Sequence, residues 1–167
     1  VYLHGQLIRP QERVSLRQQV ALVLQNSNYQ LFTPSVEDEI AFGLKNVGLR
    51  EEALHDRLEE LLTRYNLAEL RHKPPHELSE GQKKWVALVA VLATDPEVLI
   101  LDEPTAALDA LYTERVLDLL EQLHLAGKTI IISTHDMELA SRFADRVLLM
   151  EAGKLICDRK APDLWSD

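Results

Sequence analysis

Two apolar runs on either side of one helical pattern restrict the fold of this 167-residue chain more than any other feature. The runs "VLIL" (98–101) and "TIIIS" (129–133) lack the polar alternation of a strand with one wet face, so both strands are expected to be covered on both faces. Between them, apolar residues recur at helical spacing from Tyr112 to Leu123. Strand, helix and strand in this order predict parallel pairing through a right-handed crossover. The sequence therefore predicts an α/β fold with a mostly parallel sheet.

The rest of the chain is predicted to hold strands towards its two ends and helices in between. One strand each is expected in "VYLHGQLI" (1–8) and "QVALVLQ" (19–25), and Glu151–Gly153 is expected to turn a terminal hairpin. Helical patterns fill about 35–94: an N-cap at Ser35, an apolar stripe (Leu54, Leu58, Leu61, Leu62 and Tyr65), a loop at the prolines of "HKPPH", and a nearly all-apolar helix after Lys84. We expect one partial domain, 1–167, with a helical subdomain at about 35–94 and the C-terminal part of the α/β core at 95–167.

Composition excludes several classes of protein. The formal net charge of −9 disfavours a nucleic-acid surface and a polybasic membrane patch. The single cysteine, Cys157, rules out an internal disulfide framework and fits a reducing compartment. The longest apolar run, 85–93, is far shorter than the ~20 residues that a membrane span needs. We therefore expect a cytosolic protein with no transmembrane segment of its own and no nucleic-acid partner.

Two segments carry residues suited to phosphate chemistry. Asp102 and Glu103 end the first buried strand, at the edge where α/β sheets bind ligands and where Mg²⁺ and a water could be held over nucleotide phosphates. Ser79 and Gln82 have the spacing of a capping box, which alone would explain both residues. A helix amino terminus also attracts phosphate oxygens, so the residues leave a capping role and an anion-binding role open.

Five motifs in a fixed order resemble those of one family. Gln25, "LSEGQ" (78–82), "LILDEP" (99–104), "AALD" (106–109) and "STHD" (133–136) together closely resemble the nucleotide-binding subunit of ABC transporters. The segment "QLFTPSVEDEIAFG" (30–43) further resembles the ATPases of energy-coupling-factor importers, especially the cobalt and nickel type. The resemblance implies a P-loop NTPase-like fold, ATP and Mg²⁺ as cofactors, transmembrane permease subunits as partners, and a homo- or heterodimer of ATPase subunits at the cytoplasmic face of the membrane.

The resemblance also implies a role for each matching residue. Glu103 would orient or deprotonate the attacking water, and His135 would contact the γ-phosphate. Asp102 would hold Mg²⁺, and Gln25 would join that site and couple it to the membrane partner. The remaining residues implied to contact nucleotide, in part across the dimer interface, are Ser79, Gly81, Gln82 and Asp109. From the residues alone, Asp109 could equally cap a helix, Gln25 could end a strand as an ordinary polar residue, and His135 could begin a helix.

The chain departs from the family pattern at the phosphates. None of its six glycines begins a G-x-x-x-x-G-K-[ST] phosphate loop, and "AGKT" (126–129) is a decoy because it leads into a strand and position 122 is glutamine. The chain, which begins with Val1, is thus expected to be the C-terminal part of an ATPase, with apolar strand edges prone to association. Glu80 stands where the family has glycine, and Trp85 where it commonly has arginine, so a basic contact is expected to be lost.

Three functions are considered. The first is an importer ATPase, for cobalt or nickel ions or for another energy-coupling-factor substrate, that lacks its N-terminal segment and is inactive by itself. The second is a non-catalytic remnant that dimerises with a complete ATPase subunit. The third, an ATPase of chromosome maintenance or DNA repair, is disfavoured because the stretch between Gln25 and Leu78 is too short for a long coiled coil and the net charge is negative. His72 and His76 are expected to be loop residues and not metal ligands, since neither carboxylate nor cysteine supports them.

Overall fold

The structure is a computed structural model, and it describes residues 2–3, 5–9, 16 and 18–164. The chain forms two compact units, Val1–Ser133 and Thr134–Asp167, and each is described by itself. The main strands and α-helices of the first unit, among the described residues, are β1 (Tyr2–Leu3), β2 (Gln6–Leu7), β3 (Val20–Val23), α1 (Val36–Asn46), α2 (Glu51–Arg64), α3 (Glu80–Leu92), β4 (Val98–Asp102), α4 (Ala110–Leu125) and β5 (Thr129–Ser133). The second contains α5 (Met137–Phe143), β6 (Arg146–Glu151), β7 (Lys154–Lys160) and α6 (Ala161–Leu164).

The predicted parallel unit is present. Strand β4 pairs in parallel with β3 on one side and with β5 on the other, and α4 lies between β4 and β5 in sequence. In this register, Val23, Leu101 and Ile132 form one row across the sheet and face the core, where Val23 and Leu101 are fully buried. The row therefore joins the three strands to the same apolar layer.

The prediction that both faces of these strands are covered is wrong for one face. Leu22, Ile100 and Ile131 form the neighbouring row, and Leu22 and Ile131 are 50% and 51% exposed. A run of apolar residues indicates that a strand can be buried on both faces, but the exposure of each face depends on what packs against it.

The helices at 35–94 pack on the other face of the sheet and hold most of the core. Ser35 caps α1, as predicted, because its side chain accepts a hydrogen bond from the Asp38 amide. Gly43 permits α1 to lie close to α3, since a Cβ at this position would stand 2.9 Å from the Ala90 carbonyl oxygen. The leucines Leu58, Leu61 and Leu62 of the predicted stripe are buried. These helices confirm the helical prediction, while their status as a separate subdomain stays a prediction.

The loop after β3 is fixed to the helices by two side chains. One oxygen of the buried Glu39 carboxylate accepts hydrogen bonds from the amides of Phe32 and Thr33, at 3.1 and 3.0 Å, and from the Thr33 hydroxyl at 2.8 Å. The Gln30 side chain accepts from the Leu24 amide at 3.0 Å and donates to the Ala87 carbonyl at 3.4 Å. The loop is thus hydrogen-bonded to both α1 and α3.

Two sequence predictions near the ends meet different outcomes. The single strand predicted at 1–8 is wrong, because Tyr2–Leu3 and Gln6–Leu7 pair antiparallel as a hairpin around Gly5, whose φ of +74° suits a tight turn. Parts of this segment, Val1 and His4, lie outside the described residues. The terminal hairpin is confirmed, with β6 and β7 paired antiparallel on either side of the predicted turn.

Among the described residues, no helix has the length and apolar character to cross a membrane.

Candidate nucleotide site

At the carboxyl end of the parallel sheet, two predicted site residues, Asp102 and Glu103, contact the end of β5. Asp102 is the last residue of β4, and its carboxylate accepts a 2.5 Å hydrogen bond from the hydroxyl of Ser133, the last residue of β5. Glu103 follows, and its amide donates to the Ser133 carbonyl at 2.9 Å. The two acids are therefore held at the strand ends, where α/β sheets bind ligands.

Glu103 lies in a strained turn. Its φ is +45°, in the left-handed region that costs a non-glycine residue roughly 1 kcal/mol or more, and Ala107 further along the same turn has a φ of +61°. The Glu103 carbonyl accepts the Ala106 amide at 3.2 Å, which closes the turn. The side chain of Glu103 thus leaves the sheet in a direction set by the turn and not by strand geometry.

Lys84 joins this turn to Gln25. The Lys84 side chain is 5% exposed on α3, and its ammonium donates to the Gln25 carbonyl at 2.7 Å and to the Glu103 carbonyl at 3.1 Å. Burial lowers the pKa of this ammonium, while the negative charges of Asp102, Glu103 and Glu80 oppose the shift. Sequence analysis missed this residue. The available signal was the second of two adjacent lysines, directly before the apolar part of the helix.

The segment "LSEGQ", called the signature segment below, forms the start of α3. Both hydrogen bonds of the capping box are present: the Gln82 amide donates to the Ser79 hydroxyl at 3.2 Å, and the Ser79 amide donates to the Gln82 side chain at 3.0 Å. The capping role is therefore confirmed, and Ser79 remains exposed at the helix terminus. Glu80 turns its carboxylate to Lys83 at 2.8 Å, and this hydrogen bond lowers the pKa of Glu80.

Tyr112, in the first turn of α4, connects Asp109 with Gly81. Asp109 caps this helix, since its carboxylate accepts the Tyr112 amide at 2.8 Å, so the capping alternative is realised. The Tyr112 ring lies directly against Gly81, where an added Cβ would stand 2.6 Å from the ring Cδ2. The signature segment and the helix that follows Asp109 are thus in direct contact. Sequence analysis gave no indication of this contact.

A cavity of about 390 Å³ lies between these segments. It is lined by Gln25, Asn26, Ser27, Asn28, Glu80, Lys84 and the turn at Ala106, Ala107 and Leu108. Ser27 is 2% exposed, and its hydroxyl oxygen has no hydrogen-bond partner in the structure. The cavity is therefore lined by residues from three of the five motifs that define the resemblance: the glutamine, the signature segment and "AALD".

Trp85 occupies the place where a basic residue was expected. Its ring is 7% exposed, packs edge-on against Tyr65 at 5.9 Å between ring centroids, and donates from Nε1 to the Tyr65 carbonyl at 2.9 Å. The position is consequently part of the core between α2 and α3. No charge is placed there.

His135 belongs to the second unit and is therefore described only within it. It is exposed and precedes α5, which Asp136 caps by accepting the Glu138 amide at 2.9 Å. Its predicted contact with a γ-phosphate stays a prediction.

The donor atoms at the strand ends suit Mg²⁺, which prefers carboxylate and carbonyl oxygens. Asp102 supplies a carboxylate and Gln25 an amide oxygen. Within the described ranges, however, no group of three or more His, Cys, Asp and Glu side chains is arranged to hold a metal. The fit is thus to an ion that keeps water and substrate oxygens among its ligands, as Mg²⁺ on nucleotide phosphates does.

Comparisons with known proteins give one consistent answer. A family model described as ABC transporter matches residues 1–106. The energy-coupling factor transporter ATP-binding protein EcfA of Methanocaldococcus jannaschii is 44% identical over 154 residues, 92% of this chain and 55% of that protein. The cobalt import ATP-binding protein CbiO of Rhodobacter capsulatus is 46% identical over 151 residues, 90% of this chain and 54% of that protein.

One solved structure extends the likeness to the fold. CbiO1 from Clostridium perfringens, described as part of the ABC transporter complex cbiONQ, matches with a TM-score of 0.85 and 36% identity. The match covers 99% of this chain and 67% of that one. The chain spans about half the length of the two curated relatives.

Proposed function

Because the chain belongs to the ABC transporter family, we propose that it is part of the ATP-binding subunit of an importer of the EcfA and CbiO type. The likeness to CbiO1 confirms the predicted fold class, the ABC ATPase form of the P-loop NTPase fold. In the proposed importer, this subunit lies at the cytoplasmic face of the membrane and its ATP hydrolysis drives uptake through transmembrane permease subunits.

The proposal rests on one observation: a buried ammonium on the helix of the signature segment contacts two of the other motif segments. Lys84, in the helix of the signature segment, donates to the carbonyls of Gln25 and Glu103 at 2.7 and 3.1 Å. Residues far apart in sequence are thereby held at the carboxyl end of the sheet, beside a cavity lined by both polar and apolar residues. This is the arrangement that a nucleotide-hydrolysing site on an open α/β sheet requires.

Asp102 and Glu103 have different roles in the proposed reaction. Mg²⁺, when bound, would neutralise charge on the phosphate oxygens, and Asp102 would hold it with the Gln25 amide oxygen. The Ser133 hydroxyl fixes the Asp102 carboxylate before any ligand arrives. Glu103 would orient the attacking water and accept its proton, and the turn that fixes its backbone limits the positions of its carboxylate. His135 would contact the γ-phosphate.

The 167 residues contain no G-x-x-x-x-G-K-[ST] loop to bind the phosphates. We propose that a phosphate loop outside these residues supplies the backbone amides and the lysine that cradle them. Ser79, Gly81, Gln82 and Asp109 would act on nucleotide held by a second ATPase subunit, in a homo- or heterodimer. The exposed position of Ser79 at a helix amino terminus suits contact with a phosphate oxygen.

An exposed aromatic cluster beside Gln25 is the proposed contact with the permease. Tyr29 and Phe32 are 82% and 67% exposed, and Phe32 packs edge-on against Phe42 with 5.0 Å between ring centroids. Exposed aromatic rings grouped in this way are typical of interaction surfaces. The proposed cargo is cobalt or nickel, and the name of the CbiO relative, a cobalt import protein, supports cobalt.

The test joins the chain to an upstream segment that supplies a strand, a G-x-x-x-x-G-K-[ST] phosphate loop and its helix. The joined protein is expected to hydrolyse Mg-ATP, and Glu103→Gln should lower kcat by about 10²–10⁴-fold, the usual contribution of a positioned general base. The control is Glu114→Gln, an exposed glutamate on α4. Unchanged turnover in the Glu103 variant would remove that residue from the chemistry. The chain by itself should bind Mg-ATP weakly in calorimetry, and micromolar affinity would contradict the need for the added loop.

A further inference from the structure

We propose that Lys84 is a positioning residue for hydrolysis: its side chain on α3 fixes both the Gln25 backbone and the Glu103 turn. The inference rests on the proposed function and deepens it, since it assigns a role to a residue outside the five motifs. Lys84 touches the carbonyls of the two residues and acts on the reaction only through them.

One ammonium group is hydrogen-bonded to two segments, the one at Gln25 and the one at Glu103. Gln25 follows β3 and Glu103 follows β4, so the two carbonyl oxygens belong to neighbouring strand ends. Their hydrogen bonds to the Lys84 ammonium, at 2.7 and 3.1 Å, connect both strand ends to α3. A shift of α3 along its axis therefore changes both contacts at once, and with them the positions of Gln25 and Glu103.

A charged donor is needed because the turn it holds is strained. The Glu103 carbonyl accepts the Ala106 amide as well as the Lys84 ammonium, at a residue whose φ is +45°. Hydrogen bonds from an ionised donor are roughly twice as strong as neutral ones. The ammonium thus stabilises a backbone conformation that a glutamate would otherwise leave.

Burial and nearby charge act on the pKa of Lys84 in opposite directions, and burial has the larger effect. Desolvation lowers its pKa, and three acids oppose this: Asp102 at the end of β4, Glu103 in the turn and Glu80 on the first turn of α3 itself. A neutral, unbranched side chain that is one atom shorter, methionine, keeps most of the packing of the stem in the core but loses the charge and both hydrogen bonds. This difference separates positioning from packing.

The experiment on the chain itself is amide hydrogen exchange in Lys84→Met, with Lys84→Gln made in parallel in case the first variant fails to fold. The matched control is Lys45→Met, an exposed lysine on α1. Exchange is expected to rise by about tenfold in 24–28 and 103–108, the effect of losing a charge-assisted hydrogen bond, and to stay unchanged in α2. An equal rise throughout the first unit would mean that Lys84 only stabilises the fold and would overturn the proposal.

The experiment on activity uses the joined protein described above. Lys84→Met should lower kcat about tenfold or more while KM for ATP changes less than about threefold, and Lys84→Arg, which keeps a charged donor, should recover part of kcat. A rise in KM with unchanged kcat, or no recovery by arginine, would overturn the proposal. If the unsubstituted joined protein does not hydrolyse ATP, the proposed function fails, and the exchange measurement still decides whether Lys84 fixes the two segments.

Discussion

Replacing Gly81 with alanine should destabilise the first unit through one identifiable contact. A Cβ at position 81 would stand 2.6 Å from Cδ2 and 2.9 Å from Cγ of Tyr112. Because Cγ lies next to the Tyr112 backbone, a small rotation of the ring end does not relieve the overlap. The Arg115 guanidinium, 5.2 Å from the ring centroid, further restricts the ring.

Two terms of opposite sign set the size of the effect. Alanine in place of a helical glycine stabilises a helix by up to about 1 kcal/mol. Overpacking of a tight contact costs about 1–3 kcal/mol. We expect a net loss of about 1 kcal/mol in the free energy of unfolding. Without the ring, only the first term remains, so Gly81→Ala in a Tyr112→Ala background should be neutral or stabilising by up to about 1 kcal/mol.

The assay is urea unfolding followed by tryptophan fluorescence. A Trp165→Phe background leaves Trp85, in the core of the first unit, as the reporter. Tyr112→Phe is the control, because it keeps the ring and should keep the full cost of the alanine. The same cost of Gly81→Ala in the Tyr112→Ala background as in the parent would refute the reasoning. The glycine would then be required for something other than this contact.

Two further predictions concern coupling and pH. In vesicles holding the joined protein and its permease, Gln25→Ala should impair metal-ion uptake more than ATP hydrolysis, whereas equal losses in the two would place Gln25 in the chemistry alone. The Arg71 guanidinium, hydrogen-bonded to Glu59 at 2.8 and 3.2 Å, lowers the pKa of that carboxyl, so its contribution to stability is present at neutral pH and lost as pH falls through the lowered value. In denaturant unfolding, Glu59→Gln should therefore be less stable than the parent at about pH 7, and the difference should shrink steadily as the solution is acidified; a difference that does not change with pH would show another cause.

Local features of the structure were readable from the sequence because they depend on neighbours in the chain. Ser35, Ser79 and Asp109 are N-caps in the structure, and each accepts the amide three residues on. The strand–helix–strand order likewise determined the parallel pairing of β4 and β5, through the handedness and length of the crossover. These predictions needed no knowledge of what lies across the core.

Features set by distant residues were not readable. The face of β5 that carries Ile131 is half exposed because exposure depends on what packs there, and the sequence of the strand is the same in either case. The Lys84 hydrogen bonds reach residues far away in sequence, and no spacing rule relates them. Comparison of Trp85 with the family's usual arginine predicted only a lost basic contact. In the structure, Trp85 is a core residue, and its indole donates a hydrogen bond to the Tyr65 carbonyl.

The hydrogen bonds of Glu39 have a mechanical consequence. One carboxylate oxygen on α1 holds the Phe32 amide, the Thr33 amide and the Thr33 hydroxyl, so three constraints act at a single point. Gln30 ties the other end of the same loop to the Leu24 amide and to the backbone of α3. Because both ends of the loop are held by hydrogen bonds, the loop after Gln25 can change its shape only slightly. A tilt of α1 is therefore expected to displace the whole loop, and the exposed Phe32 ring with it.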